Sequence, residues 1–133
     1  MAHILIIDDD EAVRSLLRDA LEFVGYEVVE AANGHDGLHL YRLAPTPLVI
    51  TDMMMPGLNG FSVMHELRRD FPEVKIIAIS AAGRHTLDLA RRAGAHCTLP
   101  KPFLLTAFLD VVHAIMHTAV APDFRSPLHD LEQ

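Results

Sequence analysis

Apolar residues along the chain alternate between two spacings, one typical of buried strands and one typical of amphipathic helices. Residues 4–7 form a continuous apolar run that acidic residues end, as expected of a strand buried on both faces. Over residues 13–24, apolar side chains then recur at helical spacing. We therefore expect a strand followed by a helix that Asp9 or Asp10 caps and Gly25 closes.

The same alternation continues to residue 117. The other predicted strands are 27–30, 48–51, 74–79 and 95–98, and the other predicted helices are 34–43, one through Phe61 to Leu67, one through Leu87 to Ala90, and 103–117. Five strand–helix pairs predict a parallel sheet with helices on both faces and right-handed crossovers. From Ala119 the composition shifts towards Pro, Ser and Asp, so we expect one domain over 1–118 and an irregular tail over 119–133.

Composition and charge narrow the class of protein. Among 133 residues, 11 are Lys or Arg and 18 are Asp or Glu, which gives a net charge of −7 with His neutral. This acidic balance offers no electrostatic footprint for nucleic acid, and no apolar run approaches the ~18 residues of a membrane span. The single Cys97 excludes an internal disulfide and is compatible with a reducing compartment. We expect a cytoplasmic protein with neither nucleic-acid nor membrane partners.

Polar side chains follow the predicted strands at the edge where parallel strands end. Residues 8–10 follow the first strand, Asp52 the third, Ser80 the fourth and Lys101 the fifth. Ligands of open α/β sheets bind outside these carboxyl ends. Two carboxylates ~4 Å apart repel by ~4 kcal/mol at an effective dielectric constant near 20, so a hard divalent cation such as Mg²⁺ fits this group. A carboxylate beside a metal ion, a hydroxyl and an amine is equipped to accept a phosphoryl group.

Other polar groups favour structural roles. Asp10 stands where a helix cap is needed. Two histidine pairs, His35/His39 and His113/His117, are spaced to share a helix face. Neither pair has the Glu of a His-Glu-x-x-His motif or an evident third ligand, so we expect solvated surface histidines.

Four segments together resemble the receiver domain of two-component response regulators. They are Ile-Leu-Ile-Ile-Asp-Asp-Asp at 4–10, Thr-Asp-Met-Met-Met-Pro-Gly-Leu-Asn-Gly at 51–60, Ile-Ser-Ala at 79–81 and Lys-Pro-Phe at 101–103. Each segment is a weak signal, but their order and spacing over residues 2–118 make the joint signal strong. The resemblance implies a flavodoxin-like, doubly wound (βα)₅ fold whose five-stranded parallel sheet has the order 2-1-3-4-5.

The resemblance also implies a phosphoacceptor and a metal site. Asp52 would accept the phosphoryl group. Mg²⁺ would be held by Asp9, Asp52 and the backbone carbonyl of Met54, with Asp8 contributing mainly through water.

The phosphoryl-binding and switch residues follow from the same likeness. Ser80 and Lys101 would each contact a phosphoryl oxygen, and small Ala81 would keep the approach to the acceptor open. A cis bond between Lys101 and Pro102 would aim the lysine into the site. Thr98 stands where relatives commonly carry an aromatic side chain that turns inward on phosphorylation, so that rotation is not available here.

By this resemblance the chain is a signalling module. A sensor histidine kinase or a phosphotransfer protein would donate the phosphoryl group, and an unknown downstream protein would be the target. The chain would catalyse only its own phosphorylation and dephosphorylation, so we do not expect a conventional enzyme. It would act as a stand-alone regulator or as a piece of a larger one, either monomeric or dimerising when phosphorylated.

Two alternatives come from other classes. The first is a Mg²⁺-dependent phosphatase of the haloacid-dehalogenase type, because Asp8 and Asp10 mimic its Asp-x-Asp motif. Ala12 stands where that type usually has Thr or Val, and no role remains for Asp52. The second alternative is an unphosphorylated scaffold that keeps the receiver fold.

Overall fold

In a computed structural model, residues 3–117 are described, and the irregular segment predicted over 119–133 lies outside them. Within this range the elements are β1 (His3–Ile7), α1 (Glu11–Phe23), β2 (Glu27–Ala31), α2 (Gly34–Leu43), β3 (Leu48–Asp52), α3 (Gly60–Asp70), β4 (Lys75–Ser80), α4 (Arg84–Arg92), β5 (Cys97–Pro100) and α5 (Leu105–Met116). All neighbouring strands are parallel, in the order β2-β1-β3-β4-β5. The predicted (βα)₅ fold and its strand order are confirmed.

Each face of the sheet has its own apolar core, because side chains alternate along a strand. In β1, Ile4 and Ile6 pack with Leu17 of α1 and Phe108 of α5. The intervening β1 residues pack on the opposite face, against α2 and α3. A strand covered on both faces must be apolar throughout, which explains the continuous run at residues 4–7.

The structure shifts two predicted strands. β4 covers Lys75–Ser80 rather than 74–79, a shift of one residue. β5 covers Cys97–Pro100 rather than 95–98, so the predicted boundaries were wrong by two residues. The backbone N–H of Ala95 donates to the Ala90 carbonyl and completes the end of α4. Pairing between β4 and β5 therefore begins only at Ile77 and Cys97. The register of pairing with β4 sets this boundary, and the sequence at 95–98, Ala-His-Cys-Thr, does not reveal it.

The last helix begins at Leu105, two residues later than predicted. Leu104 lies at the N-cap position and supplies no side-chain hydrogen bond, because leucine has no acceptor. Within residues 3–117, no helix combines the length and the apolar character that a membrane crossing requires.

Candidate functional site

Three charged side chains meet at the carboxyl edge of the sheet because of where their strands end. Asp8 directly follows β1, and Asp52 is the last residue of β3. β1 and β3 are hydrogen-bonded neighbours in which Ile7 is the partner of Thr51, so the two aspartates lie side by side. Lys101 follows β5, and its backbone N–H donates to the Ser80 carbonyl at the end of β4.

The carboxylates form one compact group with the lysine between two of them. Oxygen atoms of Asp8, Asp9 and Asp52 all lie within 4.8 Å of one another. Lys101 Nζ donates to Asp8 Oδ2 at 2.8 Å and to Asp52 Oδ2 at 3.3 Å. Asp8 is 0% and Asp52 is 5% exposed, whereas Asp9 is exposed at the rim. We call these three aspartates and Lys101 the carboxylate cluster.

Backbone N–H groups orient the two buried carboxylates. The Asp10 N–H donates to Asp8 Oδ1 at 2.9 Å, and the Met54 N–H donates to Asp52 Oδ1 at 3.2 Å. In both residues one carboxylate oxygen is thus held by the following turn and the other by Lys101. Such bonds fix the direction of the side chains before any ligand arrives.

The surroundings of the cluster disfavour the charged form of Asp52 and favour the charged form of Lys101. Burial raises the pKa of Asp52, and the nearby Asp8 charge adds to this, against the Met54 hydrogen bond and Lys101, which lower it. Burial opposes the charge of Lys101, but the Asp8 hydrogen bond and both carboxylate charges outweigh it and raise the pKa of that amine. The cluster therefore holds more negative charge than its one ammonium group balances.

A divalent cation matches this imbalance. Three carboxylates and one ammonium group carry a formal charge of −2, and the carboxylate oxygens are close enough together to share one ion. Oxygen donors with room for water are the ligands that Mg²⁺ prefers. The carboxylate oxygens of Asp8, Asp9 and Asp52 fit that ion.

The other predicted site residues take no part in the ion pairs described for the cluster. Ser80 is fully buried, and its Oγ accepts a hydrogen bond from the Ala82 N–H at 3.0 Å. Thr98 is buried within β5. The peptide bond between Lys101 and Pro102 is cis. Met54 and Ala81 are both exposed.

The Asp10 carboxylate and the four paired histidines are not part of the carboxylate cluster. The Asp10 carboxylate caps α1 by accepting from the Ala12 and Val13 N–H groups. Because that carboxylate is used as a cap, the geometry does not favour an Asp-x-Asp pair acting together. The four histidines of the two i,i+4 pairs are exposed, as expected: His35, His39, His113 and His117.

Two residues contact the cluster that the sequence did not single out. Arg14 on α1 donates from Nη1 to the Asp8 carbonyl oxygen at 2.7 Å. Gly60 at the start of α3 packs against the end of β3, where an added Cβ would lie 2.5 Å from the Asp52 carbonyl oxygen. For Gly60 a signal was present, since it ends the segment shared with receiver domains. No comparable sequence signal pointed to Arg14.

The fold and the carboxylate cluster define a doubly wound α/β protein with its ligand site at the carboxyl edge of the sheet. A family model described as the response regulator receiver domain matches residues 4–113. The chain therefore belongs to the response regulator receiver domain family.

Individual relatives agree with this assignment. The response regulator MprA of Mycolicibacterium vanbaalenii is 36% identical over 121 residues, which are 90% of this chain and 52% of that protein. The chain spans about half the length of the curated relatives it matches.

Solved structures show the same architecture. The receiver domain of NtrX from Brucella abortus aligns with a TM-score of 0.83 at 28% identity, covering 87% of this chain and 99% of that one. The Vibrio cholerae chemotaxis protein CheY4 aligns with a TM-score of 0.80 at 26% identity, covering 86% and 98% of the two chains. The similarity thus extends over nearly the whole of these two solved chains.

Proposed function

We propose that this receiver domain accepts a phosphoryl group on Asp52 and that Asp8, Asp9 and Asp52 bind the Mg²⁺ ion this transfer needs, together with the backbone carbonyl of Met54. The single observation that carries the proposal is the bridge from Lys101 Nζ to Asp8 and Asp52 inside a group of three carboxylates. Such a group is costly to bury unless it binds a cation, so a purely structural role does not account for it.

Asp52 is the proposed acceptor because of its place between the other groups. Its side chain is almost fully buried, one oxygen is held by the Met54 N–H, and the other faces Lys101. In the transfer, an Asp52 carboxylate oxygen forms a bond to phosphorus while the bond from phosphorus to the donor breaks. When the donor is a phosphohistidine, the electron pair returns to its imidazole nitrogen, which then takes a proton. Bound Mg²⁺ supplies charge neutralisation at the phosphoryl oxygens.

Lys101 and Ser80 are the proposed contacts of the new phosphoryl group. Lys101 already points at Asp52, and a phosphoryl group with about −1.5 to −2 charges attracts it further. Ser80 Oγ now accepts from the Ala82 N–H, so donating its own proton to a phosphoryl oxygen would pull on residues 81–83. This pull gives the loop before α4 two alternative positions, which is the kind of bistable element that a switch needs.

Thr98 limits how such a switch is read out. It is buried in β5 beside Ala78 of β4. Threonine has no aromatic ring, so the inward rotation of an aromatic side chain cannot occur at this position. We therefore propose that Ser80, Ala81 and the loop before α4 carry the change. Phosphorylation must favour the active state by ~5.5 kcal/mol to convert a 1:99 population into 99:1.

The proposed partners are proteins. A sensor histidine kinase or a phosphotransfer protein supplies the phosphoryl group, and a downstream protein binds the switched surface. In this proposal the domain catalyses its own phosphorylation and dephosphorylation and does not turn over a separate substrate. The predicted boundaries of the domain, 1–118, and its cytoplasmic location belong to the same proposal.

Mass spectrometry tests the acceptor directly. After incubation with acetyl phosphate and Mg²⁺, we expect the intact protein to gain the mass of one phosphoryl group and Asp52→Ala to gain none. Asp10→Asn is the matched control, because it removes a carboxylate that caps α1, Asn is also a good cap, and the backbone N–H that donates to Asp8 is kept. An unmodified wild-type protein would instead support the scaffold alternative. Turnover of a phosphomonoester that survives Asp52→Ala but not Asp8→Asn would support the phosphatase.

A further inference from the structure

Arg14 reaches the carboxylate cluster from the side of α1. Its Nη1 donates to the Asp8 carbonyl oxygen at 2.7 Å, and its Nε donates to Glu30 Oε1 at 3.3 Å. The side chain is 15% exposed. The carbonyl it holds belongs to the peptide group that joins Asp8 to Asp9, the two cluster aspartates that follow β1.

We propose that Arg14 is a positioning residue for the metal site, which strengthens Mg²⁺ binding by fixing the peptide between Asp8 and Asp9. This inference rests on the proposed Mg²⁺ site and adds to it a residue that contacts neither the ion nor the phosphoryl group. Outer partners of metal ligands act in this way by holding the ligands in their binding orientation before the ion arrives.

The need for such a partner is greatest at Asp9. The Asp8 carboxylate is fully buried and is held by the Asp10 N–H and by Lys101. Asp9 is exposed, so burial does little to aim its side chain. The direction of Asp9 therefore depends on the orientation of the peptide that precedes it. Arg14 fixes the oxygen of that peptide, while Glu30 of β2 holds the guanidinium group in place.

A purely coulombic role for Arg14 predicts the opposite effect. A guanidinium group near a cation site repels the cation, so removing it would tighten Mg²⁺ binding. A positioning role predicts weaker binding after the same change. The sign of the change in affinity thus separates the two explanations.

Arg18 provides a matched control one helical turn further along α1. Its Nη1 donates to Glu30 Oε2 at 2.8 Å, and its other described hydrogen bonds go to Asp19. Arg14 and Arg18 thus carry the same positive charge and both bind the Glu30 carboxylate. Only Arg14, of these two, is hydrogen-bonded to Asp8.

The experiment is a calorimetric titration of Mg²⁺ into wild type, Arg14→Met, Arg14→Lys and Arg18→Met at constant ionic strength. We expect the Mg²⁺ dissociation constant to rise about tenfold in Arg14→Met, the lower end of the range for lost outer partners. Arg18→Met should stay close to wild type. Arg14→Lys should recover part of the affinity, because an ammonium group can still donate to the carbonyl.

Thermal unfolding in EDTA checks that each variant is folded, and Arg14→Gln replaces Arg14→Met if the latter is not. An unchanged or lower dissociation constant in the Arg14 variants would overturn the inference, as would equal weakening by Arg18→Met. Absence of Mg²⁺ binding by the wild type is a different result. It would overturn the proposed metal site itself and the role of Arg14 with it.

Discussion

Replacing Asp52 with Asn should stabilise the protein when Mg²⁺ is absent. At the 4.8 Å limit that encloses the carboxylate oxygens, two such charges repel by about 3.5 kcal/mol at a dielectric constant of 20. At the same dielectric constant, the 3.3 Å contact with Lys101 contributes about 5 kcal/mol of attraction. Repulsion from Asp8 and from exposed, partly screened Asp9 roughly cancels this attraction. The cost of burying the Asp52 charge therefore decides whether Asp52→Asn raises or lowers the free energy of unfolding.

We expect a gain of about 1–2 kcal/mol in the free energy of unfolding at pH 7, since an ion loses several kcal/mol of solvation on burial and an amide loses less. The gain should depend on pH. Burial raises the pKa of Asp52 in the folded protein above its ordinary value of 3.8. Below pH 3.8 the carboxyl is protonated in both states, so the two proteins should differ least there. The gain should grow as the pH rises above 3.8 and be complete above the folded pKa.

Urea unfolding in EDTA between pH 4 and neutrality measures this difference. Asp110→Asn on the exposed side of α5 is the control for removing a carboxylate that is not buried. Added Mg²⁺ should stabilise the wild type and stabilise Asp52→Asn less, because the variant lacks one charged ligand. Equal stability of the two proteins at pH 7 in EDTA, or a gain that does not shrink towards acid, would refute the reasoning.

Three further substitutions distinguish residues that act on the carboxylate cluster from residues that only stabilise the core. Lys101→Met leaves Asp8 and Asp52 without their counter-charge, and urea unfolding in EDTA should show a loss of about 3 kcal/mol; an unchanged midpoint would contradict this. Gly60→Ala forces a methyl group against the Asp52 carbonyl, and we expect about 1–3 kcal/mol lost and weaker Mg²⁺ binding by calorimetry. Phe108→Ala empties the core under α1 and α5 and should cost about 3–5 kcal/mol, yet leave the Mg²⁺ affinity of the folded protein unchanged.

The prediction of the fold succeeded because two kinds of burial leave different periods in a sequence. A strand covered on both faces, such as residues 4–7, is apolar at every position, and a helix covered on one face is apolar at every third or fourth. The order of the strands came from the resemblance to receiver domains. The start of β5 was missed because it depends on which β4 residues are free to pair.

The sequence allowed us to predict those residues of the candidate site that lie at the ends of strands. Carboxyl ends of parallel strands share one edge, so Asp8, Asp52 and Lys101 were expected together before any distance was known. Their roles in binding Mg²⁺ and phosphate remain predictions that the experiments above address.

Local periodicity, strand-end chemistry and four short motifs were enough to predict the fold, the family and the residues of the carboxylate cluster. The hydrogen bond from Arg14 to Asp8 could not be predicted in this way. Gly60 belongs to one of the four motifs, but only the structure shows how closely it packs against the end of β3. A residue's own neighbours in the chain set its helical or extended preference. Contacts between elements depend instead on how α1 and α3 pack on the sheet, which residues far apart in the sequence determine jointly through close packing.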